Sequence, residues 1–299
     1  MGMSNDQRWR SISADGQTVT LKRFDGKIHV PAFATPEWLR QHSAELAEGA
    51  ALDVETTGLS HDRSEVIEVG IRRFRFHRET GAIVEIGEGF VALQEPSAPL
   101  SHEIQDLTGI TPEILRGQSI DWDRVNAILE PCEIIVAHNA RFDRPFIDQK
   151  TKISSSKLWG CSYAHVDWAE KGYPVSKLEI LAAYHGFFYG AHRALEDADV
   201  LTHLLNQPDA ASGGPYFGEL WRSARKPFIE ILGFGAPFES KDLLKVRGYR
   251  WDNIQRVWKK TLCVEERSEE VQWLETSVYA GPFRGRVREI SPESQFRVE

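Results

Sequence analysis

Five residues in three short segments have the types and settings that metal-dependent hydrolysis needs. Asp53 and Glu55 lie in ALDVETTGL, Asp143 lies in HNARFDRPF, and His192 and Asp197 lie in AHRALEDAD. Hard divalent cations prefer carboxylate oxygens as ligands, and a histidine can accept a proton from water near neutral pH. Together the five residues could hold two divalent metal ions and activate a water molecule for attack.

The first pair of acids lies in an apolar segment that predicts a β-strand. Residues two apart on a strand point to the same side, so Asp53 and Glu55 project together while Leu52 and Val54 face the opposite layer. The alternative is a polar strand end with solvated acids. The Thr56–Leu59 turn that follows favours a site, because it would place backbone amides and an apolar wedge beside two mutually repelling carboxylates.

Asp143 follows the apolar strand EIIVA and falls in the first turn of a predicted helix, ARFDRPFIDQ. An acid in a first turn also interacts well with the helix dipole, so a structural role is the alternative. Phe142 and Phe146, at helical spacing, are more typical of a core than of base stacking. We expect Asp143 to lie beside Asp53 and Glu55 if their two strands are neighbours.

The third segment predicts an amphipathic helix entered at His192. Asp197 falls near the apolar stripe of this helix, where an unpaired acid costs free energy that a metal ion would offset. His192 taken alone could equally be a helix cap or a surface residue. Asp199 is expected to be solvated.

The alternation of strands and helices between residues 50 and 206 predicts an α/β fold, with a mixed sheet and helices packed over it. Residues 1–49 form an N-terminal extension with a strand at QTVTLKRF and a helix that begins at Thr35-Pro36. Residues 207–218, QPDAASGGPYFG, have the composition of a linker. Residues 219–299 are expected to form a small C-terminal α/β domain.

Composition limits the class of protein. With 299 residues and 41% hydrophobic residues, the chain can bury a sizeable core, and its net charge of -8 requires any nucleic-acid partner to meet a local basic patch. Three dispersed cysteines, without a C-x-x-C pair, argue against disulfides or structural zinc and favour a reducing cytoplasm. No stretch approaches 18 uncharged apolar residues, so a membrane span is not expected. The oligomeric state is not specified by the sequence.

In chain order, D-x-E-T-T-G-L, N-x-x-F-D and H-x-A-x-x-D resemble the DEDDh family of 3′–5′ exonucleases, the DnaQ-like group that includes the proofreading subunit of bacterial replicative polymerase. The resemblance implies a ribonuclease H-like fold for about residues 50–206. It implies that Asp53, Glu55, Asp143 and Asp197 bind two divalent ions, Mg²⁺ or Mn²⁺, and that His192 is the general base. A tyrosine variant of the family has its tyrosine four residues before the last acid, where this chain has an arginine.

The same resemblance implies a set of contacts with the terminal nucleotide of the substrate. The residues concerned are Thr56, Leu59, Asn139 and Phe142. The expected activity is hydrolysis of terminal phosphodiesters at the 3′ end of single-stranded nucleic acid, DNA favoured, with release of nucleoside monophosphates in proofreading or repair. A DNA polymerase or another replication or repair protein is the expected protein partner.

Two alternatives to this activity stay open at this point. An exoribonuclease that trims RNA 3′ ends would use the same residues on a different polymer. A mainly non-catalytic scaffold subunit of a polymerase complex would keep the fold without the activity. Because all five catalytic positions are filled, the sequence argues against the scaffold.

The C-terminal segment KDLLKVRGYRWDNIQRVWKK contains seven basic residues and two acids, a net charge of +5. It predicts a short helix ended by Gly248 and a hairpin that turns at Asp252-Asn253. Cations interleaved with Tyr249, Trp251 and Trp258 would suit a surface that binds nucleic acid by stacking and phosphate contacts. The alternatives are a small module with a tryptophan core and solvated charges, or a protein-docking domain.

Overall fold

The computed structural model describes residues 10–13 and 15–298, and these cluster into two compact units. Unit 1 contains the chain up to Ala224 together with residues 296–298, and unit 2 is Arg225–Gln295. The polar start of the chain, before residue 10, lies outside the described residues.

The elements of unit 1 follow the alternation that the sequence predicts. In chain order they are β1 (Arg10–Ile12), β2 (Val19–Arg23), α1 (Pro36–Gln41), β3 (Leu46–Thr56), β4 (Val66–His77), β5 (Ile83–Leu93), α2 (His102–Thr108), α3 (Pro112–Leu115), α4 (Trp122–Leu129), β6 (Ile134–Ala137), α5 (Ala140–Lys150), α6 (Lys152–Ser156), β7 (Leu158–Cys161), α7 (Ser162–His165), α8 (Leu178–Tyr184), β8 (Phe187–Phe188), α9 (Ala194–Leu205) and α10 (Tyr216–Ala224). The predicted cap of α1 is confirmed, because the Thr35 hydroxyl accepts a hydrogen bond from the Trp38 amide at 3.2 Å and Pro36 begins the helix.

A five-stranded mixed sheet forms the centre of unit 1, in the order β5-β4-β3-β6-β7. Strands β3, β4 and β5 are joined by short turns and pair antiparallel, whereas β6 and β7 run parallel to β3. Parallel neighbours need a crossover, and helices α2–α4 and α5–α6 supply it. The α/β prediction, with a ribonuclease H-like mixed sheet, is confirmed.

Helices cover both faces of this sheet, and the side chains of β3 point alternately into two cores. Ala47 and Ala51 face one core, built with α8, α9 and α10. Leu52 and Val54 face the other, built with α4 and α5. Since side chains alternate along a strand, Asp53 and Glu55 share the side of Ala51 and point toward α9.

The unit boundaries differ from the predicted domain limits. Strand β3 begins at Leu46 rather than 50, and β2 of the expected extension pairs in parallel with β8 inside unit 1. The linker prediction at 207–218 is wrong, because Tyr216 and Phe217 are buried in the core shared with α9. Its Gly, Ser and Pro residues form a compact turn, in which the Asp209 carboxylate accepts the Ser212 amide at 3.2 Å.

Unit 2 is a four-stranded antiparallel sheet packed against short helices. Its elements are β9 (Phe228–Gly233), α11 (Lys241–Val246), β10 (Arg250–Asp252), β11 (Val257–Cys263), α12 (Arg267–Trp273), which continues as a π-helical turn over Leu274–Val278, and β12 (Arg286–Ile290). The strand order is β10-β11-β9-β12. The predicted short helix and the β10–β11 hairpin are confirmed.

Much of the basic charge in unit 2 is compensated by acids of the same unit. The buried Glu270 carboxylate accepts from Arg247 at 3.2 Å and from Lys260 at 2.9 Å, and Lys259 binds Asp252 at 2.7 Å. Tyr249 lies in the core of the unit. Among the residues named for nucleic-acid binding, Tyr249 is therefore structural.

Two further expectations from the sequence concern the cysteines and the membrane spans. The three cysteines, Cys132, Cys161 and Cys263, are free. Across the described residues, no helix has both the length and the apolar character to cross a membrane.

Candidate active site

Three carboxylates meet where β3 and α9 face each other. Asp53 and Glu55 come from β3 and Asp197 from the first turn of α9. One oxygen of each of the three lies within 4.8 Å of the other two. The strand supplies two of them through its two-residue period, and the helix supplies the third from above the sheet.

Asp143 joins this group from the opposite face of the sheet. It lies in the first turn of α5, is 1% exposed, and its Oδ1 accepts a hydrogen bond from the Val54 amide at 3.2 Å. Because Val54 lies between Asp53 and Glu55 in the chain, this bond holds the fourth acid beside the first two.

His192 lies at the entrance to α9 in an unusual backbone conformation. Its φ is 70°, in the left-handed region that non-glycine residues seldom adopt. The neighbouring Arg193 amide donates to Asp197 Oδ2 at 2.9 Å. His192 is only partly buried, so its imidazole can reach solvent and substrate.

An ion pair between a buried acid and a half-exposed arginine, which the sequence reasoning missed, holds this entrance against the sheet. Glu68 of β4 is fully buried beside Glu55, its register partner on β3. Its carboxylate accepts from the Arg193 guanidinium at 2.9 Å and from the Ala194 amide at 2.9 Å. The signal available in the sequence was an acid in an otherwise apolar strand, V-I-E-V.

Tyr189 is a second residue that the sequence reasoning missed. Its hydroxyl donates to Asp197 Oδ1 at 2.8 Å, and its ring packs against the core that α8, α9 and α10 build. Tyr189 thus donates to one oxygen of Asp197, and the Arg193 amide donates to the other.

A glycine sets the distance between α9 and the sheet. Gly70 of β4 is the register partner of Asp53, and a Cβ placed on it would lie 2.1 Å from backbone atoms of Ala194 and Leu195. The start of α9 therefore packs directly on the backbone of β4. Any side chain at Gly70 would push α9, with Asp197, away from Asp53.

Burial and mutual repulsion make the four acids hard to ionise. Burial, followed by the carboxylates of Asp143, Asp197 and Glu55, raises the pKa of Asp53 well above its ordinary value. Burial, then Asp197, raises the pKa of Glu55 to about 8. Burial also raises the pKa of Asp143 to about 8 and that of Asp197 to about 6, the latter opposed by the hydrogen bonds from Tyr189 and Arg193.

The donor set at this site fits hard divalent cations. Three carboxylate oxygens within 4.8 Å of one another, with a fourth buried carboxylate beside them, offer only oxygen ligands. Mg²⁺ and Mn²⁺ prefer such ligands, and a cation would remove the repulsion that raises the pKa values. Asp53, Glu55, Asp143 and Asp197 are the residues that would hold them.

The residues expected to contact a nucleotide lie around this group with different exposure. Leu59 is 88% exposed at the turn after β3, and the Thr56 hydroxyl donates to the Gly58 carbonyl at 2.7 Å, which shapes that turn. Asn139 is exposed, with a φ of 70°, at the start of α5. Phe142 is partly buried and stacks at a tilt on Phe146, 5.2 Å between ring centroids, so much of its ring belongs to the core.

The expectation that Asp199 is solvated is wrong. Asp199 is buried and binds Arg72 of β4, with Oδ2 accepting from the guanidinium at 2.9 Å. Asp199 follows Asp197 by two residues in α9, where the helix packs against β4. The sequence concealed this because its partner lies 127 positions away.

A mixed sheet of this strand order, with carboxylates gathered between its central strand and two flanking helices, is the arrangement expected of a nuclease with a ribonuclease H-like fold. The family model for Exonuclease, RNase_T, matches residues 50–205, just over half of the chain. The protein belongs to this exonuclease family.

Individual relatives agree with the family assignment. The DNA polymerase III PolC-type protein of Halalkalibacterium halodurans is 32% identical over 172 residues, which are 53% of this chain and 11% of that protein. The DNA polymerase III subunit epsilon of Aquifex aeolicus is 32% identical over 161 residues, 52% of this chain and 76% of the subunit. The chain thus spans about a tenth of the PolC-type relatives that it matches.

The zinc-bound complex of E. coli ExoI with single-stranded DNA aligns with a TM-score of 0.44 at 16% identity, over 74% of this chain and 64% of that one.

Proposed function

We propose that this protein is a metal-dependent 3′–5′ exonuclease of the DEDDh type, which releases nucleoside monophosphates from single-stranded DNA ends. The observation that carries the proposal is the convergence of Asp53, Glu55, Asp143 and Asp197 beside the segment that bears His192. The DNA preference is supported by relatives that are named as DNA polymerase III proteins.

The four acids would bind the metal ions, and His192 would accept the proton of the attacking water. Divalent cations, when bound, stabilise the charge that develops on a phosphodiester and lower the pKa of water. His192 is suited to the proton transfer because it lies close enough to Asp197 to lower the pKa of that carboxyl, yet is not fully buried. Histidine is the side chain that most often serves as general base near neutral pH.

The turn after β3 and the start of α5 would hold the terminal nucleotide. Leu59 projects into solvent where it can insert against a base, and the Thr56 hydroxyl fixes the turn that presents it. Asn139 offers an exposed amide, and Phe142 offers the accessible part of its ring. These four residues would place the last phosphodiester over the acids.

Cleavage of end-labelled oligonucleotides tests the proposal. We expect a 5′-labelled single-stranded DNA to shorten progressively in Mg²⁺ or Mn²⁺, with nucleoside monophosphate as product, and to stay intact in EDTA. Asp53→Ala should abolish cleavage while the fold is kept. A matched RNA oligomer distinguishes an exoribonuclease, and failure to shorten either polymer with either metal would overturn the enzymatic function.

We also propose that the β10–β11 hairpin of unit 2 contacts the nucleic-acid strand. Trp251 is 46% exposed and packs edge-on against Trp258, 5.5 Å between ring centroids. Arg250 and Arg256 are exposed and form no ion pair with any residue that the structure describes. An exposed indole with two unpaired cations suits stacking on bases and contact with phosphates.

Binding of fluorescent oligo(dT) in EDTA measures this contribution separately from catalysis. The double variant Arg250→Ala/Arg256→Ala should bind more weakly. The slope of log Kd against the logarithm of the salt concentration should fall by about 1 for each lost phosphate contact. The double variant Arg267→Ala/Arg284→Ala is the matched control, because it also removes two exposed cations of unit 2, both outside the hairpin. Equal losses in both variants would show that only overall charge matters and would contradict a binding hairpin.

A further inference from the structure

The Asp197 carboxylate occupies an unfavourable position without a cation. Oxygens of Asp53 and Glu55 lie within 4.8 Å of it, and all three are largely shielded from water. Like charges at this range repel strongly when burial weakens solvent screening. A free carboxylate would rotate away from its neighbours, so something has to hold it.

Two donors hold Asp197 toward the other acids, one on each oxygen. The Arg193 amide, in the backbone of the α9 entrance, donates to Oδ2 at 2.9 Å. The Tyr189 hydroxyl donates to Oδ1 at 2.8 Å. Because a carboxylate has about four acceptor positions, these two contacts leave Asp197 with acceptor capacity for a metal ion.

Tyr189 is itself fixed before any metal binds. Its ring packs against the apolar core under α9, so the position of its hydroxyl is set by that core. An ionised carboxylate offers only acceptor oxygens, so the phenol is the donor in this contact. The Tyr189 hydroxyl is therefore held in place as a donor to Asp197, a proposed metal ligand.

We propose that Tyr189 is a positioning residue of the metal site, which orients the Asp197 carboxylate for cation binding against the repulsion of Asp53 and Glu55. The proposal rests on the metal-dependent function above. It assigns the tyrosine no contact with substrate, because its hydroxyl acts through Asp197.

The test removes only the hydroxyl, with Tyr189→Phe. Mn²⁺ binding is measured by isothermal titration calorimetry on the full chain without nucleic acid, beside kcat and KM on single-stranded DNA. Partners that orient metal ligands typically contribute about 10- to 100-fold in metal affinity, so we expect a loss in that range. Cleavage should recover at high Mn²⁺, with KM for DNA little changed and the pH profile retained, because His192 is untouched.

Tyr173→Phe is the matched control. Tyr173 packs against the same core, and its hydroxyl hydrogen-bonds with His185 and Tyr216. We expect this control to bind Mn²⁺ like the parent chain, even if its thermal stability falls.

Each other outcome counts against the proposal. Mn²⁺ affinity of Tyr189→Phe within twofold of the parent would show that the hydroxyl only satisfies its own burial. Loss of folding in Tyr189→Phe, with Tyr173→Phe intact, would show a structural role. A parent chain that binds no Mn²⁺ would overturn the proposal directly, whereas a parent that binds Mn²⁺ but cleaves nothing would overturn the proposed function alone.

Discussion

Replacement of Glu55 by glutamine should stabilise the metal-free protein at alkaline pH. Burial, followed by the charges of Asp197, Glu68 and Asp143, raises the pKa of Glu55 from 4.5 to about 8, with Arg193 opposing the shift. A carboxyl group whose pKa is raised by folding costs the folded state no stability at a pH below the pKa of that group in the unfolded chain. The folded chain then loses stability as the pH rises from 4.5 to about 8.

The size of the effect follows from the shift. Each pKa unit corresponds to about 1.4 kcal/mol, so a rise from 4.5 to about 8 sets a ceiling of about 5 kcal/mol of lost stability at pH 8. The neighbouring acids share protons with Glu55, so a few kcal/mol of this is expected from the single substitution. For a domain of this size, that corresponds to a rise of about 5 to 15 °C in Tm.

The assay is thermal and urea unfolding in EDTA between pH 5 and 8.5. Glu55→Gln should match the parent near pH 5, exceed it increasingly toward pH 8, and lose this advantage when Mn²⁺ is added. Glu79→Gln is the matched control, because Glu79 is an exposed acid in the turn between β4 and β5. Parallel pH curves for the parent and Glu55→Gln would refute the burial and charge repulsion that raise the pKa of Glu55.

Three other substitutions test the packing of α9 on the sheet and the role of His192. Gly70→Ala should cut cleavage by more than tenfold and weaken Mn²⁺ binding, because the new Cβ meets the Ala194 backbone at 2.1 Å; unchanged kinetics would contradict that contact. Asp199→Ala should lower the free energy of unfolding by about 3 kcal/mol by leaving Arg72 without its buried partner, with Mn²⁺ affinity unchanged by calorimetry. His192→Gly should slow cleavage by about 100-fold or more with Mn²⁺ affinity kept, since glycine accepts a φ of 70°, and added imidazole should restore part of the rate; equal loss of metal binding would make His192 structural.

Controls for the first two substitutions lie nearby. Gly190→Ala adds a methyl group whose nearest neighbour is the end of the Glu196 side chain at 3.8 Å, so it should be tolerated. Asp242→Ala removes an exposed acid of α11 and should leave the free energy of unfolding almost unchanged.

The sequence predicted the parts of the fold that depend on local pattern. Residues two apart on β3 had to project Asp53 and Glu55 together, the cap of α1 located that helix, and the apolar stripe of α9 located the other. The strand order could not be read from local pattern, and it brings Glu68 beside Glu55. Because such pairs are distant in the chain, no spacing rule links them.

The same limit explains the errors. Asp199 looked solvated because Arg72, its partner, lies on another strand. The 207–218 segment resembled a linker because its composition is typical of flexible segments. Tyr216 and Phe217 are nevertheless buried in a core assembled from α8, α9 and β4. Tyr189 was overlooked because a tyrosine outside a known motif gains a role only from the acid that its hydroxyl meets.

The contact between Gly70 and the start of α9 has a consequence for how such a site can change over time. Most spacings in a protein interior are set by side chains, which drift in volume as sequences diverge. Here the backbone of β4, the strand paired with β3, packs directly on the backbone at the start of α9, and this contact sets the distance between Asp53 on β3 and Asp197 on α9. Substitutions elsewhere in the two cores can therefore accumulate without altering the separation of these two acids.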